Sequence, residues 1–427
     1  MGRKRVLVVG GGFAGLQLIE NLDSNLFDVV LIDKVNHHQF QPLFYQVATS
    51  QLEPSSISFP LRKIFQDRKG TQIRLAEVTE IFPEKNEVGT SIGNFGYDYL
   101  VIASGCGTNF YGNENLEKYT YGLKTTYDAI KIRNRILEGF EEAISMSGLE
   151  RKSVLNIVIV GGGPTGVEMA GAFAEIKQNI LPRDFPDIDF KDLTITLLEG
   201  SSHTLNSMSD CAKLASEKYL TDLGVRVKTG LFVKEYDGRD VKLSNGEVIL
   251  SQNVIWAAGV IGNTIKGIDI ESVVGSGRYK VNRQNAILGY SNIYAVGDIA
   301  YMETPKYPKG HPQLANVAIN QAKNLARNLK RMQNGKTQKD FEYLNLGSMA
   351  TVGKHKAVVD LPFISFKGYF AWFVWMFLHL MLILSIRNKL IIFINWAWNY
   401  FTKDTSLRLI LRDPRSQESD KTSLPSS

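Results

Sequence analysis

Short apolar runs closed by glycine alternate with stretches of helical period along most of the chain. "RVLVVG" (5–10) is uniformly apolar and stops at a glycine, the signature of a strand buried on both faces. "GLQLIENLDS" (15–24) then shows helical spacing, and "FDVVLIDK" (27–34) is a second strand, so the chain opens with a β-α-β unit. Shorter alternating pieces fill 71–103 and end in "YDYLVIASG" (97–105), and "TTYDAIKIRNRILEGFEEAI" (125–144) reads as a long amphipathic helix. The opening pattern then returns: "NIVIVGGGPTGVEMAGAFAEI" (156–176) is strand, glycine turn and helix, and "LTITLLEG" (193–200) is the matching second strand. Two more strands leave through glycines at "VIWAAGV" (254–260) and "SNIYAVGDIA" (291–300), and 311–332 reads as one helix beginning after Pro312. The pattern predicts an α/β fold with one nucleotide-binding-type domain inserted in another. The expected boundaries are 1–155 with 286–345, then 156–285, then a different region over 346–412 and a polar, disordered tail over 413–427.

That different region changes the picture. "YFAWFVWMFLHLMLILSI" (369–386) holds 18 residues with one histidine and no charge, and "NKLIIFINWAWNYFTK" (388–403) is a second aromatic, apolar stretch with basic ends. Eighteen residues are just enough to span a bilayer. The internal His379, the short run before Lys367 and the second aromatic stretch instead predict helices lying in a membrane interface. The chain carries a net charge of +6, and near these stretches Lys367, Arg387, Lys389, Lys403, Arg408 and Arg412 face one acid, Asp404. Charge placed beside apolar surface favours an anionic membrane over nucleic acid, for which no recognition helix or stacking motif is present. Overall composition, 44% hydrophobic and 22% charged, is that of a globular protein and excludes a polytopic membrane protein. No secretory leader is read in "MGRKR", so the body is expected to stay in the cytoplasm.

The glycine turns carry the chemistry. Gly10, Gly12 and Gly15 fit the dinucleotide spacing, in which the glycines serve a tight turn, the approach of a pyrophosphate, and helix-to-strand packing. Asp33 ends the second strand 18 residues past Gly15, placed to accept hydrogen bonds from both hydroxyls of an adenosine ribose. Gly161, Gly163 and Gly166 repeat the pattern with Glu199, whose carboxylate repels a 2′-phosphate and so favours NADH over NADPH. The longer spacing of 33 residues is explained by the insertion "KQNILPRDFPDIDFKD" (177–192). Two dinucleotide sites in one chain imply a hydride donor meeting a flavin, which passes electrons on to a quinone or a one-electron acceptor. His37 and His38 lack a third ligand at suitable spacing, so no metal is expected. Cys106 and Cys211 form no CxxC; Cys106 reads as a buried small residue and Cys211 as a helix-surface or packing residue.

In the order "VVGGGFAG", "LIDKVNHHQFQPLFYQVATSQLEP", "VIASG", "IVIVGGGPTGVEMAG", "WAAGV", "YAVGDIA" and "HPQLANVAINQA", residues 5–405 resemble the type II NADH:quinone oxidoreductases, single-subunit, non-proton-pumping respiratory dehydrogenases. The block after Asp33 is the most specific part. The resemblance implies two Rossmann-like domains of the disulfide-reductase kind plus C-terminal amphipathic membrane-anchoring helices, non-covalent FAD, NADH as substrate, and a membrane quinone as acceptor. It further implies a lipid-surface location on the cytoplasmic face of the inner membrane, and a homodimer. Carried over by position, FAD would be held by Gly10, Gly11, Gly12, Phe13, Ala14 and Gly15, by Asp33, Lys34 and His38, by Ser104 and Gly105, by Gly297 and Asp298, and by the helix start at Ala318 and Asn320. NADH would use Gly161, Gly163, Pro164, Thr165, Gly166, Glu199, Ala258 and Gly259. Glu168 matches a family glutamate near the nicotinamide and flavin, although "TGVE" from Thr165 also fits a capping box. For the quinone, Ala315, Asn316 and Asn320 stand where the family commonly has Ala-Gln-x-Ala-x-Gln-Gln, so Asn316 keeps the amide on a side chain one methylene shorter.

Rival readings have their own requirements. Sulfide:quinone oxidoreductases need catalytic cysteines near the flavin, and ferredoxin-type NADH reductases lack the C-terminal anchor. A flavoprotein like apoptosis-inducing factor would act through NADH-dependent dimerisation and would not reduce a quinone fast.

Overall fold

The computed structural model describes residues 2–402 and 407–411. The expected tail at 413–427 lies outside them. Packing divides the chain into two compact units, one of residues 1–39, 58–107 and 260–345, the other of 40–57, 108–259 and 346 onward.

A five-stranded sheet organises the first unit, in the order Ile293–Ala295, Tyr99–Ile102, Lys4–Val9, Phe27–Asp33, Thr71–Leu75. All four pairings are parallel, with Val6 opposite both Val29 and Tyr99 and with Asp33 opposite Leu75. Strands so placed must be apolar on both faces, and Val6, Leu7, Val8, Leu31 and Ile32 are fully buried. One face is covered by helices Phe13–Asn21 and Ala315–Gln333, through Leu18, Ile19, Ala322, Leu325 and Leu329. The second helix starts at Ala315, two residues later than a start just after Pro312, because Leu314 is still extended.

The second unit repeats the design, in the order Tyr121–Gly122, Asn253–Trp256, Ile157–Val160, Ile195–Glu199, Arg226–Thr229, again parallel. The long helix is Thr126–Ser145, opened by a capping box between Thr125 and Asp128. The insertion forms a short helix, Leu181–Asp184, and a loop whose Phe185 and Phe190 pack on Phe140.

From residue 348 three antiparallel strands, Ser348–Thr351, Ala357–Leu361 and Ile364–Gly368, precede the aromatic region. That region is two helices, Tyr369–Leu382 and Ile386–Thr402, broken where Ile383 turns extended and Lys389 Nζ caps the Met381 carbonyl at 3.1 Å. At 1.5 Å per residue the first is about 21 Å long, short of a bilayer core, and no described helix is long and apolar enough to cross a membrane. Both helices bury a narrow stripe, Ala371 and Trp375 on one, Asn388, Ile392, Trp396 and Asn399 on the other. Their outer faces carry Phe370, Phe373, Phe377, Phe393, Trp398 and Phe401, all exposed. His379, inside the apolar run, stacks on Trp375 at 4.1 Å and bonds the Trp375 carbonyl, and burial lowers its pKa to about 4, so it is neutral near pH 7.

Candidate functional site

Both glycine turns have the geometry their spacing predicts. Gly10 has φ +103° and a methyl there would lie 2.4 Å from the Ala103 carbonyl oxygen; one on Gly15 would lie 1.9 Å from that of Gly10. In the second turn Gly161 has φ +112° and would meet the Ala257 oxygen at 2.6 Å, and Gly166 the Gly161 oxygen at 1.9 Å. The middle glycines, Gly12 and Gly163, face open space. Each is also the N-cap of its helix without a side chain accepting from the first turn. Backbone donors at a helix start, a clear approach and no competing side chain are what a pyrophosphate needs, so the residues fit the two dinucleotides.

The two strand-end acids are pinned alike. Asp33 Oδ2 accepts from Gly11 N at 2.6 Å and its Oδ1 from Val35 N at 2.8 Å. Glu199 Oε2 accepts from Gly162 N at 2.6 Å and its Oε1 from Ser201 N at 2.6 Å. Each carboxylate keeps lone pairs for a ribose. Burial raises the pKa of Asp33, against the lowering by those backbone donors. His38 is buried and its Nδ1 sits 3.0 Å from the Gly11 carbonyl, bracing the turn, while Lys34 is exposed.

Elsewhere in the first unit, Ser104 and Asn263 exchange side-chain to backbone bonds at 2.8 and 2.9 Å beside Gly105, which has φ +66°. Gly297 has φ +79° and donates to Gln321 Oε1 at 2.8 Å. Asp298 accepts from Cys106 Sγ at 3.3 Å, so Cys106 is a half-buried bonded residue and not the buried small one expected. Ala315 and Asn316 open their helix half-buried, Ala318 is in the core, and the Asn320 amide turns back to the Asn316 carbonyl at 2.7 Å. Gln321, fully buried, was not singled out in the sequence although it ends the same amide-rich motif.

In the second unit Pro164 and Thr165 are exposed at the turn. The exit at Ala258 and Gly259 is covered by Tyr111, whose hydroxyl donates to the Ala258 carbonyl at 2.7 Å. Glu168 does not cap its helix. Gly163 is the N-cap and Pro164 is N1. The Glu168 carboxyl instead accepts from Thr351 N at 3.3 Å, so the capping-box alternative is set aside. Gly171 makes this possible, because a methyl there would lie 2.7 Å from Gly353 N and push the 351–354 turn off the helix.

Glu168 faces a partly open cavity of about 40 Å³ shared with Glu175 and Lys354 and walled by Trp372, Trp375 and Trp396. Burial raises Glu168 to about 8, against lowering by the Thr351 backbone and the Trp375 indole N–H. Glu175 rises to about 7 for the same reason, and it accepts from the Lys354 backbone N–H. A bond chain supports the Thr351 side. Trp396 Nε1 donates to Gln46 Oε1 at 2.8 Å, Gln46 Nε2 to the Tyr45 hydroxyl at 3.0 Å, and that hydroxyl pairs with Thr351 Oγ1 at 3.1 Å. A carboxyl held neutral near pH 7 in an aromatic wall is a proton donor by construction.

Two parallel dinucleotide sheets with these turns define the class, and the pyridine nucleotide-disulphide oxidoreductase family model matches residues 4–322. A second model, the NDH2 C-terminal domain, matches residues 345–403. The chain is 33% identical over 416 residues to the type II NADH:quinone oxidoreductase Ndh of Mycobacterium tuberculosis, covering 94% of this chain and 89% of the relative. In fold it is similar to NDH2 of Plasmodium falciparum, solved with NADH, at a TM-score of 0.88, 22% identity and coverage of 96% of this chain and all of that one. The sulfide:quinone oxidoreductase of Aquifex aeolicus gives a TM-score of 0.73 at 20% identity, covering 94% and 96% of the two chains. The chain belongs to the type II NADH:quinone oxidoreductases. It oxidises NADH and reduces a quinone, with FAD as cofactor.

Proposed function

We propose that the first unit holds FAD through the 10–15 turn, Asp33, the Ser104–Gly105 exit and Gly297–Asp298, with Lys34, His38, Ala318 and Asn320 around it. The second unit takes NADH through the 161–166 turn, Glu199 and the Ala258–Gly259 exit. Bound FAD supplies a two-electron carrier between the hydride of NADH and the quinone. The chain's own part is positioning and proton supply: the helix starts orient the pyrophosphates, and Glu168 holds a proton near neutral pH. Asn316, with Asn320 one turn on along the same helix face and Ala315 beside it in sequence, offers an amide N–H to a quinone carbonyl.

The apolar outer faces of helices Tyr369–Leu382 and Ile386–Thr402 carry the reading of a monotopic enzyme. Polar Asn388 and Asn399 point inward and phenylalanines outward, the reverse of a helix built for water. Quinone is lipid-soluble and NADH aqueous, so an enzyme joining them works at the boundary, here the cytoplasmic face, as a non-pumping homodimer. Mixing the detergent-purified holoenzyme anaerobically with NADH and then with a quinone analogue tests this: bleaching followed by fast recolouring is expected. Bleaching without recolouring would remove the quinone roles of Asn316 and Glu168. Flotation with anionic vesicles is expected to be lost when Phe370, Phe377 and Phe393 become serine, and light scattering reads the dimer.

A further inference from the structure

Glu168 and Glu175 stand seven residues apart on one helix, two turns along the same face, with their Cα atoms about 10 Å apart. Glu168 is buried, Glu175 is half-buried, and both open to the same cavity. Two further buried polar atoms there, Asn399 Oδ1 and Trp375 Nε1, have no hydrogen bond of standard geometry among the described residues, although the indole N–H is directed towards Glu168. A void of about 40 Å³ accommodates about three waters, each needing ~10–15 Å³ and two or more polar partners. It is too small for a quinone ring, since benzene occupies cavities of about 150 Å³. Three waters bridge about 10 Å.

At the outer end, Lys354 donates its backbone N–H to Glu175 and its Nζ to the Asn399 carbonyl at 2.5 Å, fixing the cation beside this carboxyl and across the cavity's edge. The other titratable groups close by are Tyr45, raised by burial, Tyr400 in the cavity wall, and His355, which lies among the rings of Tyr369, Trp372 and Tyr400.

We propose that Glu175, clamped by the Lys354 turn, feeds protons through water in this cavity to Glu168, so that the two carboxyls form one relay. The relay rests on the reading that Glu168 stands at the reacting centre. Its purpose follows from the balance NADH + H⁺ + quinone → NAD⁺ + quinol: the hydride brings two electrons and one proton, and the second proton comes from water. As the quinol O–H forms, the Glu168 O–H breaks. The resulting carboxylate takes a proton from cavity water, which takes one from Glu175, and Glu175 refills from solvent at the Lys354 end.

The test uses the holoenzyme with Glu175→Gln, Glu175→Asp, Glu168→Gln and Lys354→Met, each checked for FAD content. Glu175→Gln is expected to leave anaerobic bleaching by NADH intact and to slow recolouring by quinone about tenfold, more at pH 9 than at pH 6, with a larger solvent isotope effect. Glu175→Asp should recover part of the rate. Infrared pH titration of the oxidised enzyme should show two protonated carboxyls. Glu175→Gln should remove one and move the midpoint of the other, and Lys354→Met should shift the Glu175 midpoint upward. If Glu175→Gln leaves both the quinone step and the Glu168 midpoint unchanged, the relay is wrong. If Glu168→Gln recolours at the wild-type rate while the infrared coupling persists, it is the placement of Glu168 at the reacting centre that fails. Should Glu175→Gln not fold, Lys354→Met carries the same two readouts.

Discussion

The chain contains one strand-turn-helix design twice, and the two copies part company one turn into the helix. Seven residues after the first glycine of each turn stands Gln17 in one copy and Glu168 in the other. Gln17 is half-buried and donates to Glu20 at 2.5 Å on an outward face of its helix. Glu168 is buried against the Thr351 turn and Trp375. The turns themselves are nearly superposable in their constraints, down to an acid accepting from the second glycine of each at 2.6 Å. On the proposed assignment, nucleotide binding therefore belongs to the repeated part, and proton chemistry to what the C-terminal region lays on one copy only.

The largest effect should come from the repeated part. Valine at Gly15 or Gly166 places a side chain on a backbone oxygen that even a methyl would meet at 1.9 Å. Gly15→Val should purify without flavin absorbance. Gly166→Val should keep FAD and lose bleaching by NADH by more than about a hundredfold. Equal loss of flavin in both would erase the assignment of one cofactor to each turn.

Next in size is the cap on the second copy. Trp375 is 2% exposed and stacks on His379, so Trp375→Ala should cost about 3–5 kcal/mol and lower the melting temperature strongly.

Both turns were legible in the sequence because glycine spacing encodes backbone sterics directly: Gly10 and Gly161 sit at positive φ where side chains rarely go. The apolar, aromatic character of the C-terminal run was legible, but not its break at Ile383, where Lys389, eight residues beyond Met381, caps the Met381 carbonyl. For Glu168 the sequence left two readings open. "TGVE" obeys the capping pattern locally, and only the approach of residues 351–354, nearly two hundred positions away, decides the outcome. Glu175, Tyr45 and Lys354 gave no local signal, since only the fold brings them to one cavity.

A medium effect separates the copies by pH. Glu168 is raised from an ordinary 4.5 to about 8 in the folded chain. Between those values the folded state binds more protons than the unfolded one, so stability falls as pH rises from about 4.5 to 8 and then levels off. Glu168→Gln removes this slope. It should be little more stable than wild type at pH 5 and several degrees more stable at pH 9, read by thermal melting. Parallel curves for the two proteins across that window would mean that Glu168 is ionised in the fold.

The smallest effect comes from copying the residue without its surroundings. Gln17→Glu gives the first helix the carboxyl of the second, but sets it three residues before Glu20, whose pKa burial already raises. Like charges at that spacing cost about 0.2–0.5 kcal/mol, and partial exposure lets solvent screen them. Melting should fall by about 1 °C at pH 8, the loss shrinking in high salt, with the pH profile of quinone reduction unmoved. A new step in that profile would mean that a carboxyl one turn past a dinucleotide loop needs no C-terminal cap to act. A shift confined to salt-sensitive melting would place the whole difference between the copies in residues 351–399, where Thr351, Trp375 and the Lys354–Asn399 contact wall Glu168 off from the bulk solvent that otherwise keeps a glutamate charged.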